Sequence, residues 1–221
     1  MFFARSALVA FVAATASSLT AANPISLEAR TPTFDGKCIA LSSASLAAEN
    51  KAIRNAYIVP DVYNSFDPKT TVALYYNEKF VPYGDKLTAT QTLLQPNVYF
   101  PAPEGDQGDK YTVIINDPDV PLGITHPTFL HWIKKGLTPN CQTPASDSGQ
   151  DVRIYISPTP PPVLAPTEHR YTISILREPK EGYNPSALKY LTELITFDVN
   201  EYEKNTGAKL VGSTYFLGSA T

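Results

Sequence analysis

The feature that most constrains the fold is the hexapeptide YTVIIN at positions 111–116, followed by the stiff turn DPDVP at 117–121. A short apolar run bounded by turn residues is typical of a strand that is covered on both faces. Such a strand requires a central sheet with packed layers on both sides. Hydrophobic residues make up 43% of the chain, which is enough apolar surface for one sizeable core.

The remaining pattern favours strands over helices. We predict further strands over 70–77, 129–133, 152–156, 170–176, 194–199 and 214–217, one helix over 45–56, and short helices near 186–193 and 200–206. The chain has 20 prolines and no regular strand–helix alternation. We therefore predict a mainly β fold, rich in antiparallel strands, with peripheral helices.

The first residues are predicted to be a targeting segment. A short basic start precedes an apolar run over 6–16 that is too short to span a bilayer, and small residues follow it. We assign 1–22 as a signal peptide, 23–37 as a linker and 38–221 as a single domain. The mature protein is then expected to be secreted, with no transmembrane segment.

The chain has two cysteines, Cys38 and Cys141. In an oxidising compartment an isolated pair is most simply one disulfide. A cysteine nucleophile is the alternative, but no obvious base lies beside either residue.

The charge of the chain bears on its partners. The net charge is -3, the pI is about 5.6, and there is no basic run. Nucleic-acid binding depends on clustered Lys and Arg, so we expect no nucleic-acid partner.

The residues that could bind a ligand or take part in catalysis cluster near two proline-rich segments, 116–121 and 157–162. The three histidines of the chain, His126, His131 and His169, all lie near one of them. Taken singly, an Asp-Pro-Asp turn or a histidine on a strand is more often structural than functional. The combination favours a site.

Strand alternation predicts how these side chains are arranged. His169 and Tyr171 are expected to share a face, with Arg170 on the other. His131 is expected to share its face with Phe129 and Ile133, while Trp132 faces the opposite way.

Aspartate beside histidine suits an anionic ligand. A carboxylate raises the pKa of a neighbouring imidazole and determines which nitrogen carries the proton. The other ring nitrogen can then donate to a phosphate or carboxylate, and Tyr171 can add a hydroxyl donor. The same residue types could bind a metal, but no compact ligand spacing is present. There is also no G-x-S-x-G, P-loop or G-x-G-x-x-G, so we expect neither an enzyme nor a cofactor.

Two segments carry a family resemblance. The run 111–121 with Leu130-His131-Trp132, and the run 155–161 with His169-Arg170-Tyr171, resemble the two signatures of the phosphatidylethanolamine-binding proteins. Weaker similarity extends the likeness over roughly 53–216. Within the family, the chain resembles a secreted, fungal-type member.

The resemblance implies a central β-sheet packed on a smaller sheet with peripheral helices. It also implies a pocket for a phosphate or a phospholipid head group. Matched by position, the ligand-binding residues are Asp117, Asp119, His131, Pro160, Pro161, His169 and Tyr171; His126 has no counterpart.

Three functions follow as expectations. The first is a binding protein for an anionic small molecule or a phospholipid head group. The second, by likeness to an inhibitor branch of the family, is an extracellular inhibitor of serine proteases or carboxypeptidases. The third and least favoured is a metal-dependent enzyme that uses His131, His169 and Asp117.

Overall fold

The computed structural model describes residues 32–120, 128–160, 168–182 and 194–219. The strands are β1 (Phe34–Asp35), β2 (Cys38–Ile39), β3 (Ala73–Tyr76), β4 (Lys79–Val81), β5 (Lys86–Thr88), β6 (Asn97–Tyr99), β7 (Tyr111–Asp117), β8 (Phe129–Leu137), β9 (Gln150–Arg153), β10 (Glu168–Arg177) and β11 (Lys209–Ser219). The helices are α1 (Ser43–Asn55), the single turn α2 (Ile58–Asp61) and α3 (Val199–Thr206), with a 3-10 turn at Ala145–Asp147. In this part of the chain no helix is both long and apolar enough to cross a bilayer.

Six strands form a central sheet in the order β5-β11-β10-β7-β8-β9. Its neighbouring strands are antiparallel except for the edge pair β5 and β11, which is parallel. A smaller sheet has the order β4-β3-β6, and β1 pairs with β2. The predicted fold class, a mainly β protein with a central antiparallel-rich sheet and a smaller sheet, is confirmed.

The central sheet is covered on both faces, as the hexapeptide predicts. Val113 and Ile115 of β7 pack in one hydrophobic cluster with Leu74 of the smaller sheet. The intervening Ile114 packs in a second cluster with Ile53 of α1 and Tyr202 of α3. Successive side chains of β7 therefore pack on opposite faces of the sheet, in two separate core layers.

The two longer helices agree with the predictions over 45–56 and 200–206. The hydroxyl of Ser42 accepts the backbone N–H of Ser45 and caps α1. The carboxylate of Asp198 accepts the N–H groups of Asn200 and Glu201 and caps α3. The predicted helix near 186–193 lies outside the described residues.

The predicted strand over 194–199 is wrong. It forms no strand: Phe197 makes an isolated bridge to Thr128, the Leu194 carbonyl oxygen accepts the Leu130 N–H (2.8 Å), and α3 already begins at Val199. Phe197 and Val199 are buried, but they pack in the helix-covered cluster rather than in a sheet. The cap at Asp198 starts a helix where the alternation predicted a strand.

The predicted strand over 152–156 is also displaced. β9 ends at Arg153, and the extended segment beyond it remains attached to β8 through the Ile156 N–H, which donates to the His131 carbonyl oxygen (2.8 Å). This short extended segment is important for the site described below.

The predicted disulfide is confirmed. Cys38 and Cys141 are bonded across a sequence separation of 103 residues. The Lys37 N–H also donates to the Cys141 carbonyl oxygen (2.7 Å), so the segment around β2 is attached to the loop after β8. Because both cysteines are consumed by this bond, neither is available as a nucleophile.

Candidate functional site

The candidate site lies at one end of three neighbouring strands. Asp117 is the last residue of β7, which lies between β8, carrying His131, and β10, carrying His169 and Tyr171. The register pairs Asp117 with Phe129 of β8. Four of the sequence-predicted residues are therefore brought together at the same end of the central sheet.

Asp117 and His169 form the most buried polar pair of the site. The Asp117 Oδ2 atom lies 2.7 Å from His169 Nδ1, and both side chains are almost fully buried. The other carboxylate oxygen of Asp117 accepts the backbone N–H of Asp119 at 2.8 Å. A carboxylate at this distance places a proton on Nδ1 and orients the ring.

His131 is held by backbone rather than by a carboxylate. Its Nδ1 lies 2.8 Å from the Ile156 carbonyl oxygen, which can only accept, so Nδ1 carries the proton and donates. Burial lowers the pKa of His131 below its ordinary value, although this hydrogen bond and the Asp117 charge oppose the shift. The ring is therefore neutral near pH 7, and Nε2 has a lone pair that can accept a proton.

A β-bulge changes the predicted facing of His131. The register passes from Ile115 opposite Trp132 to Asn116 opposite Leu130, so His131 is the extra residue of β8. Trp132 packs in the same core cluster as Tyr171. The ring centroids of Tyr171 and His131 are 5.1 Å apart, so His131 lies on that face as well.

The prediction that Trp132 faces away from His131 is thus wrong, as is the prediction that Ile133 shares its face. Ile133 packs in the opposite, helix-covered cluster. The bulge breaks the alternation on which both predictions were based.

Tyr171 lies between the two histidines. Its ring is stacked on Phe216 with centroids 5.1 Å apart and contacts the rings of His131 and His169. Burial, reinforced by the Asp117 charge, raises the pKa of Tyr171. The phenol therefore stays protonated and remains a hydroxyl donor.

Sequence reasoning missed Gly218, which makes room for this ring. Gly218 of β11 pairs with His169, and a Cβ atom there would clash with the Tyr171 Cε2 atom. No real side chain tolerates such a contact, so Tyr171 can occupy its place only against glycine. A glycine inside a strand was the one available signal.

Asp119, the second aspartate of the turn, has both carboxylate oxygens bound to Arg170 instead. Its Oδ1 accepts from Nη2 (2.6 Å), and its Oδ2 accepts from both Nε (2.9 Å) and the backbone N–H (2.7 Å) of Arg170. Arg170 also donates to the Ala56 carbonyl oxygen and to Asp61. Asp119 thus ties the turn to the region between α1 and α2, on the side of the sheet predicted for Arg170.

Of the two prolines predicted to line the site, only Pro160 lies in the described part of the chain. Pro160 is buried and lies four residues after Ile156, whose carbonyl holds His131. Pro161 and His126 lie outside the described residues. Among the described residues, no three His, Cys, Asp or Glu side chains are grouped to hold a metal ion.

A separate cavity of about 120 Å³ is lined in part by Asp61 and Asp198. Both carboxylates already have structural roles, since Asp61 pairs with Arg170 and Asp198 caps α3. It is a weaker candidate than the site at the strand ends.

The sequence and the fold both match known proteins. The family model for phosphatidylethanolamine-binding protein matches residues 75–216, which contain all four clustered residues. Protein TERMINAL FLOWER 1 from Arabidopsis thaliana is 30% identical over 124 residues, covering 55% of this chain and 64% of that protein. The chain therefore aligns with less than two thirds of that relative's length.

Two solved structures show the same fold. A carboxypeptidase Y inhibitor, solved with its cognate proteinase, has a TM-score of 0.65 at 20% identity, covering 80% of this chain and 97% of that one. A phosphatidylethanolamine-binding protein from Plasmodium vivax has a TM-score of 0.61 at 18% identity, covering 77% and 97%. The chain belongs to the phosphatidylethanolamine-binding protein family.

Proposed function

We propose that this protein is a secreted, non-enzymatic binding protein whose site takes a phosphate group, either free or in a phospholipid head group. The observation that carries the proposal is the convergence of Asp117, His131, His169 and Tyr171 at one end of the central sheet. The matched family and the P. vivax neighbour are described as phosphatidylethanolamine-binding, which supports the same ligand class.

The chemistry of the four residues suits a phosphate. Tyr171 contributes a neutral donor, and the His131 Nε2 atom can receive a proton from a phosphate oxygen or from solvent. Once protonated, that ring donates to the anion. Asp117 orients His169 and balances its charge whenever that ring is protonated. The site can thus match its own charge to that of the ligand.

Calorimetric titration with inorganic phosphate and with phosphoethanolamine tests the proposal. Both ligands should bind the wild type, and binding should be lost in His131→Ala and in His169→Ala. Unchanged binding of both ligands by both variants overturns the proposal.

A matched pair of tyrosine variants separates the site from general stability. Tyr171 and Tyr63 are both buried, but Tyr63 donates or accepts hydrogen bonds with Ser174 and Ser213 in the opposite core layer. Tyr171→Phe should weaken phosphoethanolamine binding by roughly tenfold, the cost of one hydrogen bond to a charged group. Tyr63→Phe should leave affinity unchanged, and equal losses in both variants count against a direct contact.

Protease inhibition is the second candidate function. It is supported by the structural likeness to a carboxypeptidase Y inhibitor that was solved with its proteinase. Stoichiometric amounts of this protein should then inhibit a carboxypeptidase or a serine protease in a panel assay. The same assay on His169→Ala shows whether the anion site takes part, and a complete lack of inhibition across the panel removes this candidate.

Export is part of the proposal and has its own test. The disulfide between Cys38 and Cys141 is of the kind that persists in oxidising compartments, which supports secretion. Mass spectrometry of protein from culture medium should find a mature N-terminus near residue 23. Retention of the intact N-terminus inside cells contradicts the signal-peptide assignment.

A further inference from the structure

Two adjacent leucines project from the loop that follows β5. Leu94 is 74% exposed, the highest value for any large apolar side chain in the described part of the chain, and Leu93 is 62% exposed. Single exposed apolar residues are common on protein surfaces, whereas two exposed leucines in succession place more apolar surface in solvent at one point of the chain.

Hydrogen bonds hold this leucine loop, residues 88–95, in place. The Thr92 carbonyl oxygen accepts from the Tyr155 hydroxyl (2.7 Å) and the Ser157 hydroxyl (3.0 Å). The Thr92 hydroxyl in turn donates to the Pro158 carbonyl oxygen (3.1 Å). The residue just before the leucines is therefore bound three times to one segment, 155–158.

The same segment supports the candidate site. Ile156, between Tyr155 and Ser157, supplies the carbonyl oxygen that orients His131. One stretch of four residues thus connects the exposed leucines to a site histidine. The leucine loop and the site are neighbours in space, although Leu93 and His131 are far apart in sequence.

The composition of the loop suits a lipid surface. From position 86 to 100 there is no acidic residue, and the single charged side chain is Lys86. The segment 154–160 contains no charged residue at all. The exposed Glu78, which accepts from the Asn97 side chain, is paired with Lys37 (3.8 Å), and the two segments themselves add no negative charge that phospholipid phosphates would repel.

A protein partner is less well matched. Protein interfaces are typically anchored by Trp, Tyr or Arg side chains seated in pockets. Here the exposed apolar residues of the loop are two leucines flanked by Thr92 and Gln95. Exposed aliphatic side chains beside uncharged polar residues are suited to insertion between lipid head groups.

We propose that Leu93 and Leu94 form a membrane-insertion element that places the candidate site on a phospholipid bilayer, with the leucines in the outer acyl region while the site takes a lipid head group. This inference rests on the proposed function. It adds the physical source of the ligand, a bilayer rather than free phosphate.

Vesicle flotation tests the element directly. The wild type, the double variant Leu93→Ser with Leu94→Ser, and the control Tyr57→Ser are each mixed with vesicles of phosphatidylcholine and phosphatidylethanolamine. Tyr57 is a matched control, because it is 70% exposed and directly precedes Ile58 of the opposite core layer. Phosphoethanolamine titration of each protein reports whether the site remains intact.

The double variant should lose at least about tenfold in vesicle binding, since two leucine side chains no longer enter hydrocarbon. It should bind soluble phosphoethanolamine as the wild type does, and Tyr57→Ser should match the wild type in both assays. Vesicle binding that is absent in the wild type, or unchanged in the double variant, overturns this inference. Loss of phosphoethanolamine binding in the His131 and His169 variants still supports the proposed function in that case.

Discussion

At the scale of single residues, the position of Tyr171 depends on Gly218, a residue with no side chain of its own. The ring lies against Phe216 on one side and leaves no room for a side chain at position 218. The position of a potential ligand donor is therefore set by a glycine on the neighbouring strand.

We predict that Gly218→Ala weakens phosphoethanolamine binding and lowers the free energy of unfolding by about 1–3 kcal/mol, as expected for overpacking. Gly212→Ala is the matched control, because a Cβ there would lie 2.9 Å from Thr70 and Val72. It should cost stability without changing affinity. Calorimetry and denaturant unfolding measure both quantities, and equal loss of affinity in the two variants contradicts the prediction.

His131 has a pH-dependent effect on stability. Its pKa in the folded protein lies below the ordinary value near 6.5, so folding favours the neutral ring. This stabilisation is complete above about pH 6.5 and is lost as the pH falls through the folded-state pKa.

We therefore predict that the difference in unfolding free energy between wild type and His131→Gln becomes smaller between pH 7.5 and pH 5.5. Chemical denaturation at several pH values measures it, and the comparison cancels the titration of other groups. A difference that grows as the pH falls would mean that the folded protein prefers the imidazolium.

At the scale of elements, α1 is fastened to the sheets by a buried carboxyl. Glu49 is fully buried and accepts the N–H groups of Ser213 (2.9 Å) and Val72 (3.1 Å) and the hydroxyl of Tyr83 (3.3 Å). Burial outweighs these hydrogen bonds and raises the pKa of Glu49 to about 8. The helix is thus docked by a group that is neutral at mildly acidic pH.

We predict that wild-type stability falls relative to Glu49→Gln as the pH rises from 4.5 to 8. The raised pKa means that the unfolded chain releases the proton first, so stability present below pH 4.5 is lost towards pH 8. Thermal unfolding of both proteins across this range is the measurement. Parallel pH profiles for the two proteins would show that Glu49 is already ionised in the folded state.

At the scale of the whole molecule, the disulfide links the start of the described fold to the loop after β8. It spans 103 residues, and closing so long a loop restricts the unfolded chain strongly. The candidate site lies at one end of β7, β8 and β10 and includes neither cysteine.

We predict that Cys38→Ser with Cys141→Ser lowers the free energy of unfolding by up to about 4–5 kcal/mol, the chain-entropy value for a loop of this length. Reduced wild type should behave as the double variant does, and phosphoethanolamine affinity at low temperature should be unchanged. An equal melting temperature for oxidised and reduced protein contradicts the prediction.

Several features could be derived from the sequence because they depend on local chemistry. The apolar run of β7 predicted a strand covered on both faces, and the residue pattern over 45–56 predicted α1. The same reasoning failed at 194–199, where a single capping residue, Asp198, outweighed the apolar alternation. It also failed at His131, because a bulge depends on how two strands register and not on either strand alone.

The sequence by itself determined the mainly β class, the pairing of the two cysteines and the short set of polar residues from which a site could be built. Only the tertiary structure decided which of them meet: Asp117 pairs with His169, whereas Asp119, two residues away, is committed to Arg170. The physical reason is that hydrogen-bond partners 51 or 52 positions apart are selected by strand register and burial. The local sequence pattern specifies neither the strand register nor the burial of these residues.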